Sequence, residues 1–294
     1  MKNDIENNFI NQEQINKIFL ILIIIIIFYL QLNFRYIKVS VIIPTFNRGN
    51  IIVDSIKSVL NQTLKNLEVI IIDDGSTDNT QRQIEKLRDR RIRYIKLNNN
   101  RGGGNARNIG IKMAKGEYIS FQDSDDYFYP DKLEKQLKNL VNKNGDLDFC
   151  KIRVIFNKTF SYFVPNEKSE QRIEKGSFEN ELLTFGNFIS TQAILAKTSF
   201  IRQYYFDPNM PRLQDYDMIL RMIPNVKFSY TREVLVDLNI QNNSLTKSAY
   251  KLKKAVYLLL SKNYNFNKNQ KKAFYNYLNH LLEFLSNVKL EDEN

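Results

Sequence analysis

The sequence predicts an α/β fold: a mixed, mostly parallel sheet flanked by helices, with an apolar helix before it and a helical tail after it. Three observations carry this. From Lys38 to Phe121, short apolar runs alternate with stretches of helical spacing, the pattern of βαβ units and parallel pairing. Those runs are unbroken rather than alternating, as in strands covered on both faces. Three of them end in polar clusters, Pro44–Arg48, Asp73–Asp78 and Gln122–Asp126, and a parallel sheet brings such ends to one rim.

Taken in order, residues 1–17 are polar and rich in Asn, and an apolar run follows from Ile18 to Leu30, extended by Leu32 and Phe34. A spanning helix needs about 20 apolar residues, so residues 18–34 read as a short membrane anchor or membrane-surface helix, the alternative being a soluble or non-native extension. Arg35, Lys38 and Arg48 behind it favour a cytoplasmic catalytic side. Strands are expected at Val39–Ile43, Leu67–Ile72, Ile92–Leu97 and Tyr118–Phe121, with helices at Ile51–Leu60, Thr80–Leu87, Gly104–Ala114 and from Lys132 onward. The second half is less regular, with strands at Asp148–Phe156 and Tyr162–Val164 and a buried Cys150. Ala249 to Val288 reads as two Lys-rich amphipathic helices split at Asn263–Lys268. They are expected to pack on the core with a solvated Lys face, the alternative being an anionic membrane surface. The domains expected are thus 1–37, 38–246 (divided into 38–140 and 141–246) and 247–294.

Composition narrows the chemistry. One cysteine excludes an intrachain disulfide and a Cys-cluster metal site, and one histidine, His280 in the tail, makes triads and His-rich zinc sites unavailable. Acid–base work therefore falls to carboxylates. The net charge of +11 suits nucleic acid, anionic lipid or a phosphorylated substrate. No basic stretch interleaved with aromatics is present, so a nucleic-acid partner is not expected.

At the rim, Asp123, Asp125 and Asp126 crowd three carboxylates together. They repel unless protonated or neutralised by a cation, and Mn²⁺ or Mg²⁺ would hold one or two of them and leave room for phosphate oxygens. A solvated acidic turn is the plainer alternative. Asp74 could accept from a nucleobase N–H, while Ser76, Thr77 and Asp78 are also good helix caps. Arg101–Asn108 is a glycine loop entering a helix, able to hold an anion or to serve as a plain junction. It is not a dinucleotide fingerprint, because Arg107 stands where G-x-G-x-x-G needs its last glycine.

These stretches in this order, Val39–Arg48, Val69–Asp78, Ala106–Asn108, Gly116–Ile119 and Asp123–Asp126, resemble the family 2 glycosyltransferases, inverting enzymes of the Rossmann-like GT-A fold. The resemblance covers residues 38–140 and implies a nucleotide-diphosphate sugar donor, expected to be a UDP-sugar, and an acceptor hydroxyl on a glycan, lipid or other carrier. It implies that Pro44, Thr45, Phe46, Asn47 and Asp74 bracket the nucleotide and that Arg107 lies on the donor side. It also implies that Asp123 and Asp125 bind the metal and the diphosphate. Asn187–Gln192 resembles an acceptor-side segment. Asp215 and Asp217 open a helix, where the macrodipole alone favours carboxylates, but the resemblance makes Asp215 the catalytic base, with Gln214 where the family commonly has Glu. A departure follows at Asn239-Ile240-Gln241, where an Arg-x-His pattern is common in the family. That removes a third candidate metal ligand and leaves Lys247 as a substitute charge. Two rivals were weighed. A sugar-phosphate nucleotidyltransferase would carry a Gly-rich Arg/Lys stretch after its first strand, where Pro44–Arg48 stands. A non-catalytic basic protein would bind membrane or nucleic acid through net charge alone.

Overall fold

The computed structural model describes residues 12–156, 160–176, 178–240 and 246–287. The chain divides after Ile37 into two units. In the first, helix α1 (Gln12–Arg35) is formed, and its described side chains, Gln14 to Ile26, are exposed. Among the described residues no helix is long and apolar enough to cross a membrane. The expectation of a spanning anchor at 18–34 therefore finds no support in the described structure, since the apolar run is shorter than the span of about 20 residues a bilayer requires.

The second unit is built on one nine-stranded sheet. Its first half follows the expected alternation: β1 (Val39–Thr45), α2 (Ile52–Leu60), β2 (Leu67–Asp73), α3 (Thr80–Glu85), β3 (Ile92–Lys96), α4 (Gly103–Met113) and β4 (Tyr118–Phe121). Strands β3, β2, β1 and β4 lie side by side, all parallel. Val39, Val41, Ile42, Ile43 and Val69 to Ile72 are fully buried, which is why the runs carry no polar alternation. Helix α2 covers one face with Ile52, Ile56 and Val59, spaced for a single helical stripe. Helix α4 lies so close to β1 that a Cβ on Gly110 would sit 2.4 Å from Ile42 Cγ2. The register aligns the strand ends: Thr45 pairs with Asp73, and Ile42 with Phe121. Covalent order and parallel pairing together thus deliver all three polar clusters to one edge.

The second half breaks the parallel pattern. Strand β5 (Tyr127–Phe128) and helix α5 (Lys132–Asn142) lead to β6 (Leu147–Phe156) and β7 (Phe160–Val164). Helices α6 (Glu167–Glu174) and α7 (Phe178–Phe185), a 3-10 turn at Thr191–Ala193, β8 (Ile194–Lys197), α8 (Thr198–Ile201), α9 (Gln214–Met222) and β9 (Phe228–Ile240) follow. Strand β8 inserts antiparallel between β4 and β6, and β9 runs parallel to β6. The interior here is partly polar. Asp148 is fully buried and accepts from Gln136, Asn139, Ser229 and Thr231. Lys132 is also fully buried: its ammonium donates to Gln136 Oε1 at 2.7 Å and lies 4.1 Å from the Phe128 ring centre. Burial pushes Lys132 down to about 8 and Asp148 up to about 6. Cys150 is buried, as expected of a small core residue.

Helices α10 (Thr246–Ser261) and α11 (Lys268–Asn287) form the tail. Val256, Leu259, Phe274 and Leu278 are buried, while Lys251, Lys254, Lys268, Lys271 and Lys272 are exposed. Lys262 departs from that solvated face. It bonds Asp207 at 2.6 Å and Asp217 at 2.7 Å, and Tyr264 adds a hydroxyl bond to Asp217 at 2.9 Å. The tail is thereby tied to the first turn of α9. The Gln241–Leu245 segment and the Lys247 side chain lie outside the described residues.

Candidate active site

The aligned strand ends enclose a cleft of about 370 Å³. It is lined by Pro44, Thr45, Phe46 and Arg48 of the first loop, Asp74, Gly102 and Gly103, and Arg107, Asp123, Ser124 and Asp125. Phe46 is exposed at 42%, leaving a ring face open to a planar ligand. Asn47, expected among the nucleotide contacts, does not line the cleft. It sits at φ 52°, donates its N–H to Ser76 Oγ at 2.8 Å and accepts from the Thr77 N–H at 2.9 Å. It thus ties the first loop to the second, a short amide side chain being well suited to a left-handed turn. Asp74 is buried and accepts from the backbone N–H groups of Arg101 at 2.9 Å and Gly102 at 2.7 Å. Its carboxylate therefore fixes the glycine loop against the cleft, a role its sequence context did not reveal.

Arg107 is the hub. It donates to Asp123 Oδ1 at 2.6 Å and to Gln214 Oε1 at 3.4 Å, and its guanidinium lies 5.5 Å from the Phe206 ring centre. Its buried Nε finds no partner among the described residues, and neither does the buried Oγ1 of Thr45, which lines the same cleft. Buried polar atoms are normally paired, so both point to a polar ligand in this cleft.

The three carboxylates separate by role. Asp125 faces the cleft 4.0 Å from Arg48 Nη2, and burial, then the charge of Asp123, raises its carboxyl above the ordinary range. Asp126 turns inward, accepting from Gln192 Nε2 and from the Asn239 N–H. Burial, then the charges of Asp123 and Asp125, pushes it well upward. Asn239 also donates its side-chain amide to the Asp125 carbonyl at 2.9 Å. The residue that departs from the family's common pattern thus buttresses the acidic loop. Among the described residues no group of three or more His, Cys, Asp or Glu side chains could hold a metal ion. The two cleft carboxylates nevertheless suit a hard cation that takes one or two carboxylates and completes its shell with phosphate and water.

Asp215 stands in the first turn of α9, after Leu213 in the left-handed region at φ 57°, a strained conformation for a γ-branched residue. It accepts from its neighbour Tyr216 N–H at 2.9 Å. The Asn187 side chain stands near enough to favour the charged form of Asp215, and Asn187 Oδ1 accepts from the Ile189 N–H at 3.1 Å. Burial raises Asp215, while Arg107 opposes that rise and the charge of Asp123 adds to it. Asp215 does not itself line the cleft; its neighbour Gln214 meets the cleft residue Arg107 at 3.4 Å. Asp217, one turn face away, is fully buried between Lys262, Arg221 and Tyr264 and belongs to the scaffold. Arg48 was expected only as part of the Pro44–Arg48 cluster and Asn187 only as part of an acceptor-side segment, neither with a role of its own. The Gln214–Arg107 contact had no signal in the sequence.

The chain belongs to glycosyl transferase family 2, whose profile matches residues 40–206. The nucleotidyltransferase and non-catalytic readings fall with that match. An uncharacterized glycosyltransferase of Haemophilus influenzae is 31% identical over 228 residues, 74% of this chain and 85% of that one. One of Rickettsia felis is 43% identical over 176 residues, 59% of this chain, and the match spans only 27% of that relative's length. The UDP-Glc:alpha-D-GlcNAc-diphosphoundecaprenol beta-1,3-glucosyltransferase WfaP of Escherichia coli is 48% identical over 99 residues, 34% of this chain and 39% of its own. Among solved structures, S. aureus TarS 1-349 in complex with UDP-GlcNAc superposes with a TM-score of 0.65 at 21% identity, over 84% of this chain and 73% of that one. The mannosyltransferase PcManGT from Pyrobaculum calidifontis, in complex with GDP-Man and Mn²⁺, gives 0.60 at 17% identity over 85% and 70%. Both share the mixed, parallel-dominated α/β fold. Asp215 and the tail lie beyond the family match.

Proposed function

We propose that this glycosyltransferase moves a sugar, with inversion, from a nucleoside diphosphate sugar to an acceptor hydroxyl on a glycan or lipid-linked carrier. UDP-sugar is the favoured donor class: WfaP is named for UDP-Glc, and TarS 1-349 was solved with UDP-GlcNAc. The observation that carries the reading is the Arg107 hub, which bonds Asp123 on the donor side at 2.6 Å and reaches Gln214, the residue before Asp215, at 3.4 Å.

Asp215 accepts the proton of the acceptor hydroxyl. That oxygen bonds to the anomeric carbon as the bond from that carbon to the diphosphate oxygen breaks on the opposite face. Burial raises the basicity of Asp215 above that of an ordinary carboxylate, which improves its match to neutral pH. Arg48 and Arg107 line the cleft where the diphosphate acquires charge. Asp123 and Asp125 would hold Mn²⁺ or Mg²⁺, which when bound supplies charge neutralisation to the leaving diphosphate; the mannosyltransferase neighbour was solved with Mn²⁺. Calorimetry of the chain against UDP, GDP, dTDP and CDP, with and without Mn²⁺, tests the donor side. Selective, metal-dependent binding of UDP is expected, and binding of none of the four by folded protein would sink the reading.

A further inference from the structure

A second cavity, of about 580 Å³, opens between β7 and the segment after α7, within the range of about 300–1,000 Å³ typical of ligand pockets. It is lined by Phe163 of β7, Phe185 at the end of α7, Phe188, Lys151, Arg172 and Asn187. Two of its rings are open to solvent, Phe163 at 47% and Phe185 at 58%, while Phe188 is buried beneath them. Large exposed rings gathered in a concavity mark a place where something binds.

Two further observations say what that is. First, the cavity shares a residue with the site already described: Asn187 lines it, and its side chain stands near enough to Asp215 to favour the charged carboxylate. Second, its cations are already neutralised. Lys151 is paired with Glu170 at 2.6 Å, and Arg172 donates to the buried Glu181, with its Nη2 at 2.8 Å from Oε1. Glu167 at the rim adds a negative charge. An anionic acceptor would meet no unpaired cation here among the described residues. A neutral ring with one apolar face and outward hydroxyls would match both the aromatic walls and the amide of Asn187.

We infer that this cavity is an acceptor subsite for a neutral pyranose ring, stacked on Phe163 and Phe185, with one hydroxyl directed past Asn187 to Asp215. It rests on the reading of Asp215 as the base. It assigns acceptor choice to β7 and the segment after α7 rather than to the donor cleft. Phosphate-bearing acceptors are disfavoured by the carboxylates behind Lys151 and Arg172.

The test uses the full chain and two readouts. Saturation-transfer NMR compares methyl β-glucoside and methyl N-acetyl-β-glucosaminide with glucose 6-phosphate and glycerol phosphate. Steady-state assays follow UDP-sugar hydrolysis without acceptor and transfer to whichever glycoside binds. Saturation transfer to a neutral glycoside is expected. Phe163→Ala and Phe185→Ala each raise acceptor KM roughly fivefold, and together tenfold or more. In both, kcat and donor hydrolysis stay near wild type, and Phe163→Tyr restores KM. Donor hydrolysis with no neutral glycoside bound, preferential binding of the phosphorylated probes, or an unchanged KM in the double variant overturns the subsite. Absence of donor hydrolysis and of nucleotide binding in the wild type would instead overturn the donor reading.

Discussion

The two halves of the second unit solve the same problem differently. In residues 38–121 the strands β1 to β4 are parallel, and the site residues follow strand ends in chain order. In the half beyond Asp126, β8 and β9 reach the sheet out of order and in opposite directions, and the site residues come from turns, Asn187 after α7 and Asp215 at the start of α9. The donor-side strands are therefore held mainly by apolar packing, with buried polar ties such as Glu68 to Ser40 and Arg93 added to it. The acceptor side is held by polar ties: Asp148 with its four donors, Asp126 with Gln192 and Asn239, and Asp217 with Lys262. Polar ties are worth little net when satisfied and cost much when broken. That predicts a donor side tolerant of polar surface change and an acceptor side sensitive to single truncations.

The largest effect should come from Asp215→Asn, which keeps the shape but removes the proton acceptor. Transfer should fall by about 10²–10⁴-fold while calorimetric UDP affinity stays near wild type; unimpaired transfer would refute the base role. Asp125→Ala attacks the donor half at its electrostatic centre. Metal-dependent UDP binding should weaken by roughly 10²-fold or more, and retained tight binding would remove Asp125 from the metal set. Together the two variants divide chemistry from binding between the halves.

Two stability variants probe the scaffolds. Lys262→Met leaves the fully buried Asp217 with Arg221 and Tyr264 only. A loss of about 2 kcal/mol is expected, less than for a buried charge stripped of every partner, read from urea unfolding. Gly110→Ala instead overpacks the apolar side, pressing a methyl onto Ile42. It should cost about 1–2 kcal/mol, and an unchanged midpoint would show that α4 can withdraw from β1.

The smallest effect is a shift in pH dependence. Burial holds Asp215 above the ordinary carboxylate range, and the Asn187 side chain pulls it down. The base works deprotonated, so transfer should rise with pH through an acidic limb set above that range. Asn187→Ala removes a group that favours the charged form, so the limb should move further up, with less activity at mildly acidic pH. A limb that moves down, or does not move, would separate Asn187 from Asp215.

Much of the donor half was legible because its signals are local. Unbroken apolar runs declare buried parallel strands, and a strand's end in sequence is its end in space. Asp74 and Asn47 show the limit even there. Both stand in the expected loops, yet their bonds to Arg101, Gly102, Thr77 and Asp78 depend on how separate loops meet. The fully buried Lys132 looked like the first residue of a helix, and nothing around it in sequence announced that Gln136 and Phe128 would enclose it.

The sequence by itself determined the family, the parallel half of the sheet, the rim where three polar clusters gather and the carboxylate character of the chemistry, because each depends on residues close along the chain. Tertiary structure alone decided that Asp123 and Asp125 face the cleft while Asp126 turns inward. It alone set Asn187 near Asp215, made Lys262 a tie rather than a solvated charge and gathered Phe163, Phe185 and Phe188 around one cavity. Those outcomes rest on contacts between residues tens of positions apart, where the direction of a side chain follows from packing and charge pairing and not from its neighbours in sequence.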